Sequence, residues 1–259
     1  MELIHTEIGD LKFDILCSEE RLREVLNVNW IYEPEIIYVF YNYVRPGDVC
    51  IDAGANLGYH SILLSKLVGD FGKVLAFEPD PPCYRKLIKN IELNKANNVV
   101  AIPTALWSER AEYYFFSTHC GFSSFVEYVG QPREKYPMRT FPLDDCIDPM
   151  LTIRVLKIDC EGAEERILRG ARKLLERGVD CVLVEFNYDL MPICGSGDRQ
   201  IRDYMHELGY DCYFLYQKGQ PPTPLPIEAT LGLHSERVHF NMLFTREPPR
   251  WSSDTASIQ

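Results

Sequence analysis

The chain has 259 residues, 46% of them hydrophobic, with a formal net charge of −11 at pH 7. That length suits one α/β domain with a large core that needs no covalent staples. The acidic balance, with Lys and Arg scattered rather than clustered, argues against a nucleic-acid partner, because such proteins present a basic face to the phosphate backbone.

Nine cysteines stand singly at positions 17, 50, 83, 120, 146, 160, 181, 194 and 212. The absence of a CxxC pair speaks against a zinc or thioredoxin-like motif, and the unclustered odd count suits a reducing compartment. The opening stretch Met1-Glu2-Leu3-Ile4-His5-Thr6-Glu7 has no basic region followed by an apolar one, and no apolar run reaches membrane-spanning length. The expectation is a cytoplasmic chain without a membrane partner.

In chain order, residues 1–30 read as a short hairpin or strand followed by a helix around Glu19–Val28. The aromatic stretch Val28–Tyr32 reads as a lid. Pro34 starts a helix over Glu35–Val44, stopped by Pro46-Gly47-Asp48. Strands and helices then alternate: strand Val49–Ala53, helix Gly58–Leu67, strand Gly72–Phe77, helix Pro82–Asn94 and strand Val99–Pro103. Tyr113–Ser117 and Met138–Phe141 are shorter candidate strands. Strand Arg154–Asp159, helix Ala163–Arg177, strand Cys181–Phe186, helix Arg199–Leu208 and strands Cys212–Leu215 and His239–Phe244 complete the series. Apolar strands without alternation, each followed by a helix, imply a mostly parallel sheet covered on both faces. Two irregular segments interrupt it, one between Glu109 and Thr140 and one, Pro-rich, between Gln217 and Val238. Residues 1–44 read as an N-terminal extension, 45–247 as the catalytic domain and 248–259 as a disordered tail.

The chemistry concentrates after the first strand of this series. Asp52-Ala53-Gly54-Ala55-Asn56-Leu57-Gly58 gives an acid, a glycine-bearing turn and a helix start. The glycines allow a tight bend and close approach of a ligand, and the helix aims its free N–H groups at it. Glu78, at the end of the next strand, stands where nucleotide-binding folds place the acid that holds ribose hydroxyls. A dinucleotide site would show G-x-G-x-x-G; here Asn56 replaces the middle glycine and Asp52 precedes the turn. An acid repels pyrophosphate and suits a cationic ligand, so the pattern favours S-adenosylmethionine over a dinucleotide. The plainer reading of Asp52 is a turn or cap residue.

With these residues in view, the chain resembles the FkbM family of S-adenosylmethionine-dependent methyltransferases. The resemblance runs from Arg45 to about Asn187 and rests on Pro46-Gly47-Asp48-Val49, the Asp52–Tyr59 turn, Phe77-Glu78-Pro79-Asp80-Pro81, Asn90-Ile91-Glu92-Leu93-Asn94, Leu143-Asp144-Asp145, Val184-Glu185-Phe186 and above all Leu156-Lys157-Ile158-Asp159-Cys160-Glu161-Gly162-Ala163-Glu164. It implies the class I methyltransferase fold, a Rossmann-like seven-stranded sheet. It also implies that Asp52, Gly54, Asn56 and Gly58 line the amino-acid and ribose end of the cofactor, Glu78 takes the ribose hydroxyls, and the Thr104-Ala105-Leu106 turn flanks the adenine. A carbohydrate or polyketide-like acceptor, a small molecule or glycan, is the family expectation.

Asp80-Pro81-Pro82-Cys83-Tyr84 is similar to the box of base-amine methylases, but it follows the second strand rather than the fourth and reads as a helix start. At the fourth strand, Lys157, Asp159 and Glu161 alternate and leave on one side. Asp159 is the candidate base or acceptor-positioning group, because a neutral hydroxyl is a poor nucleophile. Glu161 is a second carboxylate, orienting the acceptor or holding a divalent ion, although no metal motif is present; alternatively Glu161 and Glu164 open the following helix. Lys157 needs a partner in its apolar strand, either Glu185 or Asp159. His239 and Asn241, alternating on the last strand, are candidate acceptor contacts. Trp30, Tyr32, Trp107 and Phe122 form either an apolar wall or core, and His60 touches ligand or caps its helix. The rival functions are a nicotinamide-dependent oxidoreductase and a non-catalytic methyltransferase-like binding module.

Overall fold

Alternate burial builds the first two strands, β1 (Glu2–Ile8) and β2 (Leu11–Cys17), in which Ile4, Thr6 and Ile8 and then Phe13, Ile15 and Cys17 face inward. They pair antiparallel around Gly9, which turns at φ 56°. The computed structural model describes residues 2–17, 20–27, 31–118, 123–127, 134–215, 221–229, 239–249 and 251. The expected lid residues Val28, Asn29 and Trp30, along with His119, Phe122, His234 and the tail from 252, lie outside the described residues. Trp251 stacks on Tyr38 with ring centroids 6.1 Å apart.

Two helices, α1 (Glu20–Asn27) and α2 (Pro34–Tyr43), lead into the alternating series. It runs β3 (Val49–Ala53), α3 (Tyr59–Val68), β4 (Lys73–Phe77), α4 (Pro81–Leu93), β5 (Val99–Ile102). Then come β6 (Ala105–Leu106), β7 (Ala111–Ser117), β8 (Glu134–Phe141), α5 (Leu143–Cys146), β9 (Val155–Ile158), α6 (Glu164–Gly170) and α7 (Arg172–Arg177). The chain continues with β10 (Cys181–Asn187), α8 (Asp198–Glu207), β11 (Asp211–Phe214), β12 (Thr223–Pro224) and β13 (His239–Thr245).

The main sheet has the order β12-β11-β13-β10-β9-β3-β4-β5. β5, β4, β3, β9 and β10 run parallel, and β13 enters antiparallel between β10 and β11. This is the expected seven-stranded class I arrangement with one addition, the two-residue β12 on the outer edge. Separate apolar clusters cover the two faces. One joins Cys50, Val155 and Leu183 of the sheet to Ile36, Phe40, Ile62 and Leu87; the other joins Ile51, Leu156 and Val184 to Leu143, Ile167, Leu174 and Ile201. The strand order reverses between β3 and β9, which opens a crevice at their carboxyl ends.

Three elements differ from expectation. The single helix over 163–177 is two, α6 and α7, and it breaks where Gly170 packs so close under the Trp107 carbonyl that a Cβ would overlap it. The Thr104–Leu106 turn contains the short strand β6, which pairs parallel with β8 at Ala105↔Thr140 and Leu106↔Phe141. The irregular 109–140 segment contributes the longer β7 and β8, so that β6, β8 and β7 form a second, three-stranded sheet beside the crevice.

Candidate active site

The β3–α3 turn is built on three left-handed residues, Gly54, Asn56 and Gly58, at φ 83°, 50° and 95°. Gly54 is required sterically as well, because a Cβ there would overlap the Asp159 carbonyl oxygen; one on Gly58 would stand 2.7 Å from Leu87 Cδ1 of α4. The turn therefore presses β3 against the end of β9 and seats α3 on α4. The cleft beside it is lined by Gly54, Asn56, Phe77, Glu78, Thr104 and Leu106, and by Asp159, Cys160, Glu161, Ala163 and Ile167, with Phe115 contributed by β7 and Ser123 and Phe125 by the connection from β7 to β8. Its cavity volume is about 70 Å³.

Glu78 is buried in this cleft. Its Oε2 accepts from the Asn56 N–H at 2.7 Å and its Oε1 from the Asp80 N–H at 2.8 Å. Burial pushes the Glu78 carboxyl up to about 8, although these two N–H groups oppose the shift. Asn56 Oδ1 is buried without a hydrogen-bond partner. Such an orphaned acceptor is costly, and a ligand donor entering the cleft would satisfy it.

Asp52 and Gly58 are not among the residues lining the cleft. Asp52 is 1% exposed, and its Oδ2 accepts from Ser61 Oγ of α3 at 2.5 Å while Oδ1 has no partner. It stands opposite Lys157 in the β3–β9 register, on the sheet face covered by α2 and α3. Ala105 is buried in β6, next to the cleft-lining Thr104 and Leu106.

On that same face lies a polar group that converges on Asp159. Lys157, 2% exposed, donates from Nζ to Asp159 Oδ2 at 2.8 Å. Burial disfavours the Lys157 ammonium, but Asp159, Asp52 and Glu33 outweigh it and raise its pKa. Burial also opposes charge on Asp159, yet Lys157 together with a hydrogen bond from Glu185 holds that carboxyl below its usual range. Glu185 moves the other way: burial, then the neighbouring Asp159 charge, drives it well above the usual range. The two carboxyls are therefore driven apart, Asp159 toward its charged form beside Lys157 and Glu185 toward its protonated one.

Glu33, Asp159 and Glu185 each offer a carboxylate oxygen within 4.8 Å of the others. A divalent ion is held by such oxygens, but the Lys157 ammonium already balances part of their charge. Glu33 stands at φ 49° in front of Pro34, with its Oε2 2.6 Å from His60 Nε2. His239 Nδ1 lies 3.7 Å from Glu185 Oε1. Asn241 is buried and donates to Glu35 Oε1 at 3.1 Å, one layer beneath. Asp159 therefore belongs to both the cleft and the acidic group.

Glu161 sits at φ 51°, outside the helix, lines the cleft and accepts from Asn187 Nδ2 at 2.8 Å. Glu164 has the helix-opening role: its Oε1 accepts from the N–H groups of Cys160 and Gly162 at 2.9 and 3.2 Å, and burial lifts it to about 7. Tyr32 packs edge-on to Tyr59 at 5.7 Å, and Trp107 packs on Phe125 at 5.1 Å, behind the cleft. Glu33, Asn187 and the second-sheet residues carried no local motif in the sequence. Asn187 alone had a positional signal, as the residue ending a strand at the ligand-binding edge.

Comparison with known proteins now adds to this geometry. A family described as "Methyltransferase FkbM domain" matches residues 52–212. The hexuronic acid methyltransferase AglP of Haloferax volcanii is 23% identical over 185 residues, covering 70% of this chain and 72% of its own. A Streptococcus mutans chain, described as a methyltransferase and solved in complex with SAH, superposes with a TM-score of 0.50 at 14% identity, covering 83% of this chain and 98% of that one. The methyltransferase FkbM of Methylobacillus flagellatus gives a TM-score of 0.49 at 16% identity, covering 86% of this chain; the chain spans about half of it, 53%.

Proposed function

Because the chain belongs to the FkbM methyltransferase family, a family of S-adenosylmethionine-dependent enzymes, we propose that it transfers a methyl group to a hydroxyl oxygen of a small molecule or glycan, with Asp159 receiving the hydroxyl proton. A sugar acceptor is favoured by the similarity to AglP, whose name is that of a hexuronic acid methyltransferase. The observation that carries the reading is the double membership of Asp159 in the cleft and in the acidic group with Glu33 and Glu185.

The residues of the cleft fit an adenosyl ligand. Asn56 Oδ1 is an orphaned acceptor, Glu78 offers a carboxyl at the end of β4, and Phe115, Leu106 and Phe125 supply apolar lining. Bound there, S-adenosylmethionine supplies an electrophilic methyl carbon. Lys157 favours the charged form of Asp159, so the carboxylate would accept a hydrogen bond from an acceptor hydroxyl and take its proton as the carbon–oxygen bond forms and the methyl–sulfur bond breaks, with S-adenosylhomocysteine as the leaving group. Glu185, a neighbour of Asp159 in the acidic group, is driven toward its protonated form and in that form would donate to Asp159. Glu161, steadied by Asn187 in the cleft, and Glu33, paired with His60 beside Asp159, would position the acceptor. His239 stands beside Glu185 at the rim.

Calorimetric titration with S-adenosylmethionine, S-adenosylhomocysteine and NAD tests the first half: binding of either adenosyl compound and not NAD is expected, and binding of NAD alone would favour the oxidoreductase. Transfer of a tritiated methyl group into fractionated cell extract, followed by identification of the labelled product, tests the second. In this reading chelator-treated enzyme keeps its rate, since Lys157 supplies the local positive charge; a rate lost with chelator and restored by magnesium would assign Glu33, Asp159 and Glu185 to a cation.

A further inference from the structure

Asp80 precedes α4 at the position where an aspartate ordinarily caps a helix by accepting from its second or third N–H. Pro81 and Pro82 occupy the first two helical positions and have no N–H to give. The Asp80 side chain makes no cap bond and is completely buried. It instead gathers hydroxyls from the second sheet and its connection. Ser117 Oγ, at the end of β7, donates to Oδ2 at 2.8 Å; Ser123 Oγ donates to Oδ2 at 2.7 Å; Tyr136 Oη of β8 donates to Oδ1 at 2.7 Å. Cys83 Sγ approaches Oδ2 at 3.7 Å. Burial, and then the bond to Asp80, push the Tyr136 hydroxyl well above its ordinary value and keep it a donor.

The Asp80 N–H in turn donates to Glu78 Oε1 at 2.8 Å. One hydrogen-bonded path therefore runs from the floor of the cleft, through Asp80, to β7, β8 and the Ser123 segment. Those elements bring Phe115, Ser123 and Phe125 into the cleft lining, while Asp80 is not itself among the lining residues. A buried carboxylate holding three hydroxyls through charge-assisted bonds is a strong fastening, and it joins the second sheet to the carboxyl end of β4.

We propose that Asp80 is a positioning residue that seats the β6-β8-β7 sheet as the roof of the cofactor cleft, so that affinity for the adenosyl ligand depends on a carboxylate that does not touch it. This rests on reading the cleft as the adenosyl site. The test uses the full chain as wild type, Asp80→Asn and Tyr136→Phe. It measures S-adenosylhomocysteine affinity by calorimetry, amide exchange over 111–117 and 134–141, and KM for S-adenosylmethionine against kcat.

The expected result is an affinity about tenfold weaker in Asp80→Asn and a few-fold weaker in Tyr136→Phe, a KM raised in proportion and a kcat within about twofold at saturation. Exchange should accelerate in the second sheet and not in β3 or β9. Unchanged affinity and KM in both variants would overturn the proposal, as would weakened affinity without faster exchange in β7 and β8. If Asp80→Asn does not fold, Tyr136→Phe, which removes a single hydroxyl at the edge of the network, decides the matter by the same readings. A wild-type chain that fails to bind S-adenosylhomocysteine would instead overturn the cofactor reading, and the roof proposal with it.

Discussion

Asp159 is tied to Lys157 on one side and to Glu185 on the other, so its protonation is set by neighbours rather than by solvent. Asp159→Asn keeps the shape and removes the proposed proton acceptor. Its kcat is expected to fall by about 10² to 10⁴, with S-adenosylhomocysteine affinity within a few-fold of wild type; equal losses in both would make Asp159 a cofactor ligand rather than a base. Glu78 supports a second prediction. Burial pushes its carboxyl up to about 8, and ribose hydroxyls donate better to the charged form. Binding should therefore release a proton, and affinity should rise by up to about tenfold per pH unit as pH climbs from 6 toward 8. Glu78→Gln should flatten that profile, which calorimetry at several pH values would show. At this scale the sequence is uneven. The left-handed turn and the acid ending β4 were legible because backbone geometry demands glycine and because strand ends face the crevice. The surroundings of Asp52 were not: which face of β3 it takes is decided by register with Lys157 and by Ser61 of α3, none of which its own neighbours encode.

Asn90 of α4 and Asn94, the residue that caps its C-terminus, show how an element is docked by side chains that imitate backbone. Asn90 accepts from the Leu16 N–H at 2.7 Å and donates to the carbonyls of Leu57 at 2.7 Å and Leu16 at 3.3 Å, while Asn94 accepts from the Asp14 N–H at 2.9 Å and donates to its carbonyl at 2.7 Å. One turn of α4 thus pairs with the edge of β2 as another strand would. Asn90 is fully buried, so Asn90→Ala leaves backbone groups unpaired and should cost about 2 to 4 kcal/mol. Urea unfolding would measure this, and amide exchange should quicken first over 11–17. A loss below about 0.5 kcal/mol would mean the apolar face of the hairpin docks it alone. The strands of the main sheet were legible because continuous apolar runs leave few alternatives. The second sheet was legible only in part, as the strands Tyr113–Ser117 and Met138–Phe141: Tyr114 is 58% exposed on β7, and Pro137 stands inside β8 opposite it. A proline in a half-exposed strand ordinarily argues against the assignment, which is why the reading of β8 began only after it.

Across the whole molecule, the buried acids set how stability follows pH. Burial raises Glu35, Glu164 and Glu185 along with Glu78, to about 7 for Glu164 and about 8 for Glu78. Below pH 4.5 these groups are protonated whether the chain is folded or not. As pH rises from there the unfolded chain ionises them while the folded chain keeps their protons, so stability falls until the folded groups ionise too, at about pH 7 for Glu164 and about pH 8 for Glu78. Asp159 runs the other way: its contribution is complete above its ordinary value and is lost only as pH falls toward its lowered one. Buried thiols extend the decline, since Cys50, Cys194 and Cys212 are pushed up to about 12 by burial and favour the unfolded chain above about pH 9. Unfolding free energies from urea titrations should therefore drop by several kcal/mol from pH 5 to pH 8, at roughly 1.4 kcal/mol per pKa unit, and drop again by pH 10. Glu78→Gln should remove part of the first step and none of the second. A stability that rises between pH 5 and pH 8 would mean that these carboxyls are ionised in the fold, and the assignment of a proton to Glu185 would go with it. The adenosyl ligand should counter the first step most near pH 8, where Glu78 is already charged and binding is tightest, because a ligand that binds only the folded chain stabilises it in proportion to its affinity.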